Sequence, residues 1–418
     1  MWRSIVLAVA AQLAIGGVAV AQAPPPVPAP TPAPAAAPPL LPVIPFEDAV
    51  LKAATDLFSK ANLPPDAPER LTLVIDPLID GVTTAQSTAT QYMERRIVEL
   101  VRTSFPRFQV KPFSTDEIAR TPVVLIGTFT AVNNAGLAGA PKDAYRICLA
   151  LADFATRKII SKGVARAKLE GVDVTPTVFF DEAPVFSKDA ASDSYIKSCQ
   201  GTRPGDPIDQ VYADRILSAA LLSDAVIAYQ KRRYTDSLEL YQSALKAPGG
   251  EPLRALNGIY LATLHLGRRT ASAAAFGKLV GYGLANDKLA IKFLFRPGST
   301  QFVAQQRGGR SLYRMWLAQI AEHTRDSGAC LDIVGHTSAS GPPALNDRLS
   351  ALRAEFVKDR LVDARAELSS RLIASGAGGR QNIVGTGRDD ASDALDRRVE
   401  FKVIRDCLPS NKQALLAR

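Results

Sequence analysis

The residues best suited to chemistry lie between Gly335 and Val357, where the chain reads GHTSASGPPALNDRLSALRAEFV. The pattern is a strand end, a turn carrying Gly341 and two prolines, and an amphipathic helix with Arg353 inside it. That shape suits a pocket for a small zwitterion, which needs a cation for a carboxylate and an anion for an amine. A guanidinium meets the first need because its planar fork donates two parallel hydrogen bonds to a carboxylate. Arg353 supplies it. Where an anion would stand on the turn, the chain offers Ser338.

Other chemistries have weaker claims. The sequence has no H-E-x-x-H, no G-x-S-x-G and no G-x-x-x-x-G-K-[ST]. SALK (Ser243 to Lys246) and SYIK (Ser194 to Lys197) match S-x-x-K, a short pattern that recurs freely, and no K-T-G accompanies them. His265, His323 and His336 are dispersed and no C-x-x-C occurs, so metal-ligand spacing is absent. The expectation is a protein without a catalytic group, a cofactor or a metal.

Of the 418 residues, 47% are hydrophobic and 22% charged, which places the chain among ordinary globular proteins and predicts two or three domains. A net charge of +9 permits attraction to anionic polymers, but the basic residues are scattered, and no nucleic-acid partner is expected. Arg3, an apolar run and Ala19-Val20-Ala21 predict a secretory signal peptide over residues 1–23; the alternative is an uncleaved anchor. Cys148, Cys199, Cys330 and Cys407 fall as two pairs in two regions, which suits disulfides in an oxidising compartment.

These pieces need a scaffold. Residues 24–46 read as a Pro/Ala linker, reaching roughly 70 Å if extended. Residues 47–205 read as a small α/β domain, with buried strands at LTLVIDPLIDG and PVVLIGTFTAV, a helix at TATQYMERRIVELVRTSF and a hairpin around Asp153 to Arg157. The order loosely resembles the small α/β domains of periplasmic accessory proteins of the TolB N-terminal or CsgG type. Cys148–Cys199 would tie its later strands to its tail. Residues 206–285 read as helices. RRYTDSLELYQSALKAP resembles the second helix of a tetratricopeptide repeat, and RTASAAAFGKLV repeats its register about 35 residues on. A plain helical hairpin with accidental spacing is the alternative.

In residues 286–408 the alternation of strands and helices returns. Strands are expected at KFLFRPGSTQF, LDIVGHT, QNIVGTG and RRVEFKVI. Helices are expected at SLYRMWLAQIAEHTRD and NDRLSALRAEFVKDRLVDA, the latter with Leu349, Leu352, Phe356 and Leu361 inward. The result is a two-layer sandwich with helices on one sheet face. Residues 409–418 form a tail. The chain as a whole is read as a multidomain α+β protein.

In this region the residues resemble the OmpA-like C-terminal domain that binds peptidoglycan. The matches are Phe293 and Phe295; Gly335-His336-Thr337 and Gly341; Asn346, Leu349, Ser350, Arg353, Ala354 and Val357; Gly385 and Gly387; and Arg397, Arg398 and Val399. The resemblance covers about a third of the chain. It implies a ligand, the diaminopimelate of the wall's stem peptide, gripped in the family by the helix Arg and by an Asp after H-T. Arg353 matches the first and Ser338 replaces the second. A neutral hydrogen bond contributes about 1 kcal/mol against about 1.5–3 for a charge-assisted one, so binding is expected to be weaker by several-fold to tens of fold. Asp347 and Asp390 are close enough in sequence to compensate.

The implied site comprises Arg353, Ser338, Thr337, Asn346, Gly341, Arg397 and Arg398, with Arg353 facing an open cleft. Asn346 also suits a helix cap, His336 a strand-end packing role, and Arg397 and Arg398 either a glycan or peptide contact or solvation of the strand. The family topology makes the strands after Cys330 and before Cys407 antiparallel neighbours, so a bridge between them closes easily. Two readings follow for a protein exported to the periplasm and associated with the wall or outer membrane. In one, the C-terminal domain docks on peptidoglycan while the other domains hold a protein partner. In the other, Ser338 marks lost wall binding and the chain is an assembly scaffold.

Overall fold

The computed structural model describes residues 41–404 and Cys407, apart from 64–67, 134–141, 186, 187, 189, 248–251, 297, 304–309 and 385–390. The expected signal segment and most of the linker lie outside the described residues, as do Asp390, Gly385 and Gly387.

The N-terminal part is built from β1 (Val43–Ile44), α1 (Phe46–Ser59), β2 (Leu71–Ile75), β3 (Ile79–Asp80), α2 (Thr88–Ser104), β4 (Phe108–Lys111), α3 (Thr115–Ile118), β5 (Val123–Val132), β6 (Ala144–Asp153) and β7 (Lys158–Ala167). Among the described residues these give one seven-stranded sheet in the order β1-β7-β6-β5-β2-β4, with β3 on β5. The β5–β6 and β6–β7 pairs are antiparallel; β2, β3, β4 and β1 join their neighbours in parallel. Residues 43–44, expected in the linker, instead pair with Arg166 and Ala167 at the sheet edge. Strand residues alternate between two cores. Val123, Leu125 and Phe129 of β5 face one, with Ala53 and Leu57 of α1 and Met93 and Ile97 of α2; Val124 and Ile126 face the other. A sheet covered on both faces reads as a continuous apolar run, which is why VVLIGTFTAV lacks polar alternation.

The second face is closed by α5 (Ala190–Gln200) and α6 (Gln210–Gln230), after the short α4 (Val178–Glu182). Ser194 and Lys197 of the SYIK motif both bond the carboxylate of Asp209, which caps α6, at 2.6 and 2.9 Å. Then come α7 (Tyr234–Lys246), α8 (Pro252–His265) and α9 (Arg269–Ala285), each packed on its predecessor. Of the residues that the repeat-like spacing places on the packing face, Leu238, Tyr241, Ala244, Phe276, Leu279 and Val280 are buried, while Tyr234 and Leu245 are half-buried.

The C-terminal part has β8 (Leu289–Ile291), α10 (Arg310–Ser327), β9 (Cys330–Gly335), α11 (Pro343–Ala364), β10 (Leu372–Gly376) and β11 (Val399–Ile404), with sheet order β10-β9-β11-β8. The third strand is LIASG at 372–376, parallel to β9, rather than the expected QNIVGTG. The first strand stops at Ile291, and Phe293 and Phe295 follow it as core side chains against Tyr313 and Trp316. On α11 the inward face is Asn346, Ser350, Arg353, Ala354, Val357 and Leu361, while Leu352, expected inward, is 47% exposed.

The expected boundaries at 205 and 285 do not separate cores. Tyr212 and Ile216 of α6 belong to the core on the sheet, and its hydroxyl partner Asp76 lies at the end of β2, 2.7 Å from Tyr212 Oη. Val226 and Tyr229 of the same helix belong to a core that continues through Phe276 into Trp316, Ile333 and Phe401. Helices with few polar faces are buried on several sides, and burial here welds the parts together.

Cys330 and Cys407 form a disulfide with Cα atoms 5.6 Å apart. Cys330 pairs across the ladder with Ile404, the last residue of β11, so the bridge joins neighbouring strand ends. The other expected bridge is absent. Cys148 and Cys199 are buried free thiols, and each Sγ donates to the other's main-chain oxygen at 2.8 Å.

Candidate functional site

Helix α11 can lie on β9 and β10 only because the strand ends lack side chains. A Cβ at Gly335 would sit 2.1 Å from the Ser350 carbonyl oxygen, and one at Gly376 would sit 2.6 Å from the Ala351 nitrogen. Between β9 and α11 the loop turns at Gly341, whose φ of +84° favours glycine.

That loop is strung between neighbours by its backbone. His336 N donates to the Arg398 carbonyl at 3.0 Å, Thr337 N donates to the Gly378 carbonyl at 3.0 Å, and Asn382 Nδ2 donates to the Thr337 carbonyl at 3.0 Å. Asn346 is not the helix cap, since α11 begins after Pro342. It lies one turn inside and donates to the Ser340 carbonyl at 2.8 Å, fastening the loop to the helix. Ser338 Oγ and Ser340 Oγ are 2.9 Å apart. Thr337 Oγ1 is buried with no hydrogen-bond partner among the described residues. Buried hydroxyls are normally satisfied, so this one marks a place where another polar group fits.

Arg353 lies on the same helix face as Asn346, two turns further on, or roughly 10 Å. It does not face an open cleft: it is 2% exposed. Nε donates to the Ser299 carbonyl at 3.2 Å and Nη2 to the Arg296 carbonyl at 3.3 Å, with the guanidinium carbon 4.9 Å from the centre of the Phe295 ring. Phe295 and the carbonyls of Arg296 and Ser299 thus lie over it. These are long bonds to uncharged acceptors, weaker than a bidentate pair with a carboxylate.

Arg398 is 3% exposed and braces the loop from beneath, with Nε donating to Glu400 at 2.7 Å and Nη2 to the Gln381 carbonyl at 3.2 Å. Arg397 is half-buried at the start of that strand. Glu400 joins Arg398 to His336, whose Nε2 is 3.6 Å away. Burial alone would raise the Glu400 carboxyl, but His336 and the Arg398 guanidinium outweigh it and hold its pKa at about 2. Burial lowers the pKa of His336 against the opposing pull of Glu400. Asp347 is engaged by Arg380 at the mouth of the loop.

The structure therefore brings Thr337, Ser338, Gly341 and Asn346 into one loop and helix start, with Arg398 below and Arg353 along the helix under its own cover. Sequence reasoning missed Glu400 and the 295–299 cover. Glu400 was findable, since it stands two residues from Arg398 and so on the same strand face.

Residues 294–394 match the OmpA family. The peptidoglycan-associated lipoprotein from Burkholderia pseudomallei is similar at 24% identity over 27% of this chain and 88% of that one, with a TM-score of 0.22. The cell wall anchor of the T6SS from Pseudomonas aeruginosa is similar at 24% identity over 27% and 76%, with a TM-score of 0.22. An outer membrane protein from Borrelia burgdorferi B31 is similar at 22% identity over 28% and 88%, also at 0.22. No curated protein matches. Among the described residues no helix is long and apolar enough to cross a membrane, and no group of His, Cys, Asp and Glu is arranged to hold a metal ion.

Proposed function

We propose that this chain, whose C-terminal region is an OmpA-like domain, is a non-catalytic envelope protein that docks on peptidoglycan. The N-terminal segment would direct export to the periplasm, and the sheet and tetratricopeptide-like helices would hold a protein partner. The observation that carries the reading is the state of Arg353. Its guanidinium is preformed on the inner face of α11, and two of its hydrogen bonds go to main-chain carbonyls, at 3.2 and 3.3 Å. A diaminopimelate carboxylate is a stronger acceptor than a neutral carbonyl, so it would displace the Arg296 and Ser299 carbonyls. The buried Thr337 hydroxyl offers a further contact. Ser338 replaces a charge with a hydroxyl, so the amine end is held less tightly and affinity is reduced.

The second reading, a scaffold without wall binding, is favoured by the same cover over Arg353 and by the closure of Ser338 on Ser340. Co-sedimentation of the full chain with purified sacculi at low salt separates the two. Docking predicts sedimentation that is lost in Arg353→Ala, retained in part by Arg353→Lys, and strengthened in Ser338→Asp, with circular dichroism confirming that each variant folds. Absence of sedimentation by the native chain leaves the scaffold. Soluble muropeptides in the same supernatant would instead reveal a hydrolase.

A further inference from the structure

The helical region carries a trough that the wall-binding reading does not use. Helix α8 forms its floor through Leu256 and Ile259; α7 contributes Leu245 and Lys246 to one wall, and α9 contributes Ala274 and Lys278 to the other. Its volume is about 500 Å³, within the range of roughly 300–1,000 Å³ typical of binding clefts. Two clefts beside α4 and α6 hold only about 30 and 50 Å³, room for little more than one or two waters.

Charge and shape identify an occupant. Lys246 and Lys278 are exposed on opposite walls, and among the described residues neither has an ion-pair partner and no acidic side chain lines the trough. From Leu256 to Thr263 the floor runs two turns of α8, roughly 10 Å in a straight line. An apolar floor between helical walls accepts the apolar stripe of a helix, and the small side chain of Ala274 lets that helix approach closely. We propose that this trough is the docking site for an amphipathic helix of a partner protein, with acidic residues flanking its apolar stripe on both sides. The proposal rests on the reading that the helices hold a protein partner, and names where and by what chemistry.

The test uses the full chain and two labelled synthetic helices: a leucine stripe flanked by glutamates, and the same stripe flanked by lysines. The glutamate helix should bind saturably and the lysine helix should not. Lys246→Glu with Lys278→Glu should weaken the glutamate helix about ten-fold and admit the lysine helix. Ala274→Arg, at an exposed helical position, should abolish both. Equal binding of the two peptides, no saturable binding, or indifference to Ala274→Arg overturns the proposal. A photo-crosslinker at Ala274 and, separately, at Leu217 on α6 then tests the partner reading in envelope extracts. A crosslink from Leu217 alone overturns the trough and keeps the partner. A crosslink from neither overturns both. One from Ala274 that the charge reversal removes supports the proposal.

Discussion

The indole N–H of Trp316 on α10 donates to the hydroxyl of Tyr260 on α8 at 2.8 Å, with both side chains buried. Phe276 of α9 stacks on the same indole at 5.3 Å. One residue of the OmpA-like domain is thus packed inside the helical region. Trp316→Ala should destabilise the chain by about 3–5 kcal/mol, and Trp316→Phe by about 1 kcal/mol through the lost hydrogen bond. Urea unfolding followed by far-ultraviolet circular dichroism and by tyrosine absorbance should give one coincident transition. Two separated transitions would contradict a shared core.

The Cys330–Cys407 bridge spans 77 residues, and a loop of that size stabilises by about 4 kcal/mol in the chain-entropy account. Cys407→Ser should lower stability by that order. The native protein should show no fast-reacting thiol, and the unfolded protein two, from Cys148 and Cys199. A single thiol-free species after unfolding would mean that the second pair is oxidised.

Glu94 accepts a hydrogen bond from Leu78 N at 2.6 Å, and burial lifts its carboxyl to about 7 against the opposing effects of that bond and of Arg95. The native state then keeps a proton that the unfolded chain releases. Its contribution is fully present below about pH 4.5 and is lost as pH rises through about 7. Glu94→Gln mimics the protonated form, so it should be more stable than the native chain at pH 8 by about 1–3 kcal/mol and equal to it at pH 4. Thermal unfolding at the two pH values checks this.

Glu400 has the opposite sign. Its pKa of about 2 lies below the ordinary 4.5, so its contribution is present above pH 4.5 and disappears as pH falls through about 2. Glu400→Gln should cost about 3 kcal/mol at pH 7 by removing the charged acceptor of the buried Arg398, and almost nothing near pH 2. The variant should also weaken sedimentation with sacculi, because Arg398 and His336 hold the loop that carries Thr337 and Ser338.

Gly335→Ala places a methyl group against the Ser350 backbone, which cannot rotate away. The helix must shift, at a cost of about 1–3 kcal/mol, and sacculus binding should fall with it. Gly341→Ala meets open space and suffers only backbone strain, of about 1 kcal/mol. Denaturant midpoints of the two variants separate helix displacement from loop strain.

Much of this architecture was legible in the sequence, and the failures have physical causes. The strands at Val123–Val132 and Val399–Ile404 and the hairpin after Asp153 followed from apolar runs and turn residues. Leu312, Trp316 and Ile320 faced inward as their spacing required. On α11 the apolar stripe misled, because the buried face begins with the polar groups Asn346, Ser350 and Arg353 of the site itself. The strand LIASG was missed because its mix of small and apolar residues was less conspicuous than QNIVGTG. The cover on Arg353 was invisible, since it includes the Phe295 ring and main-chain carbonyls from Arg296 and Ser299, more than fifty residues away. The unpaired state of Cys148 and Cys199 is a matter of local sulfur geometry that spacing does not encode.

Helix α6 lends Tyr212 and Ile216 to one core and Val226 and Tyr229 to the next. Bending the chain at either former boundary would therefore mean exposing one of these cores, so neither boundary is a hinge.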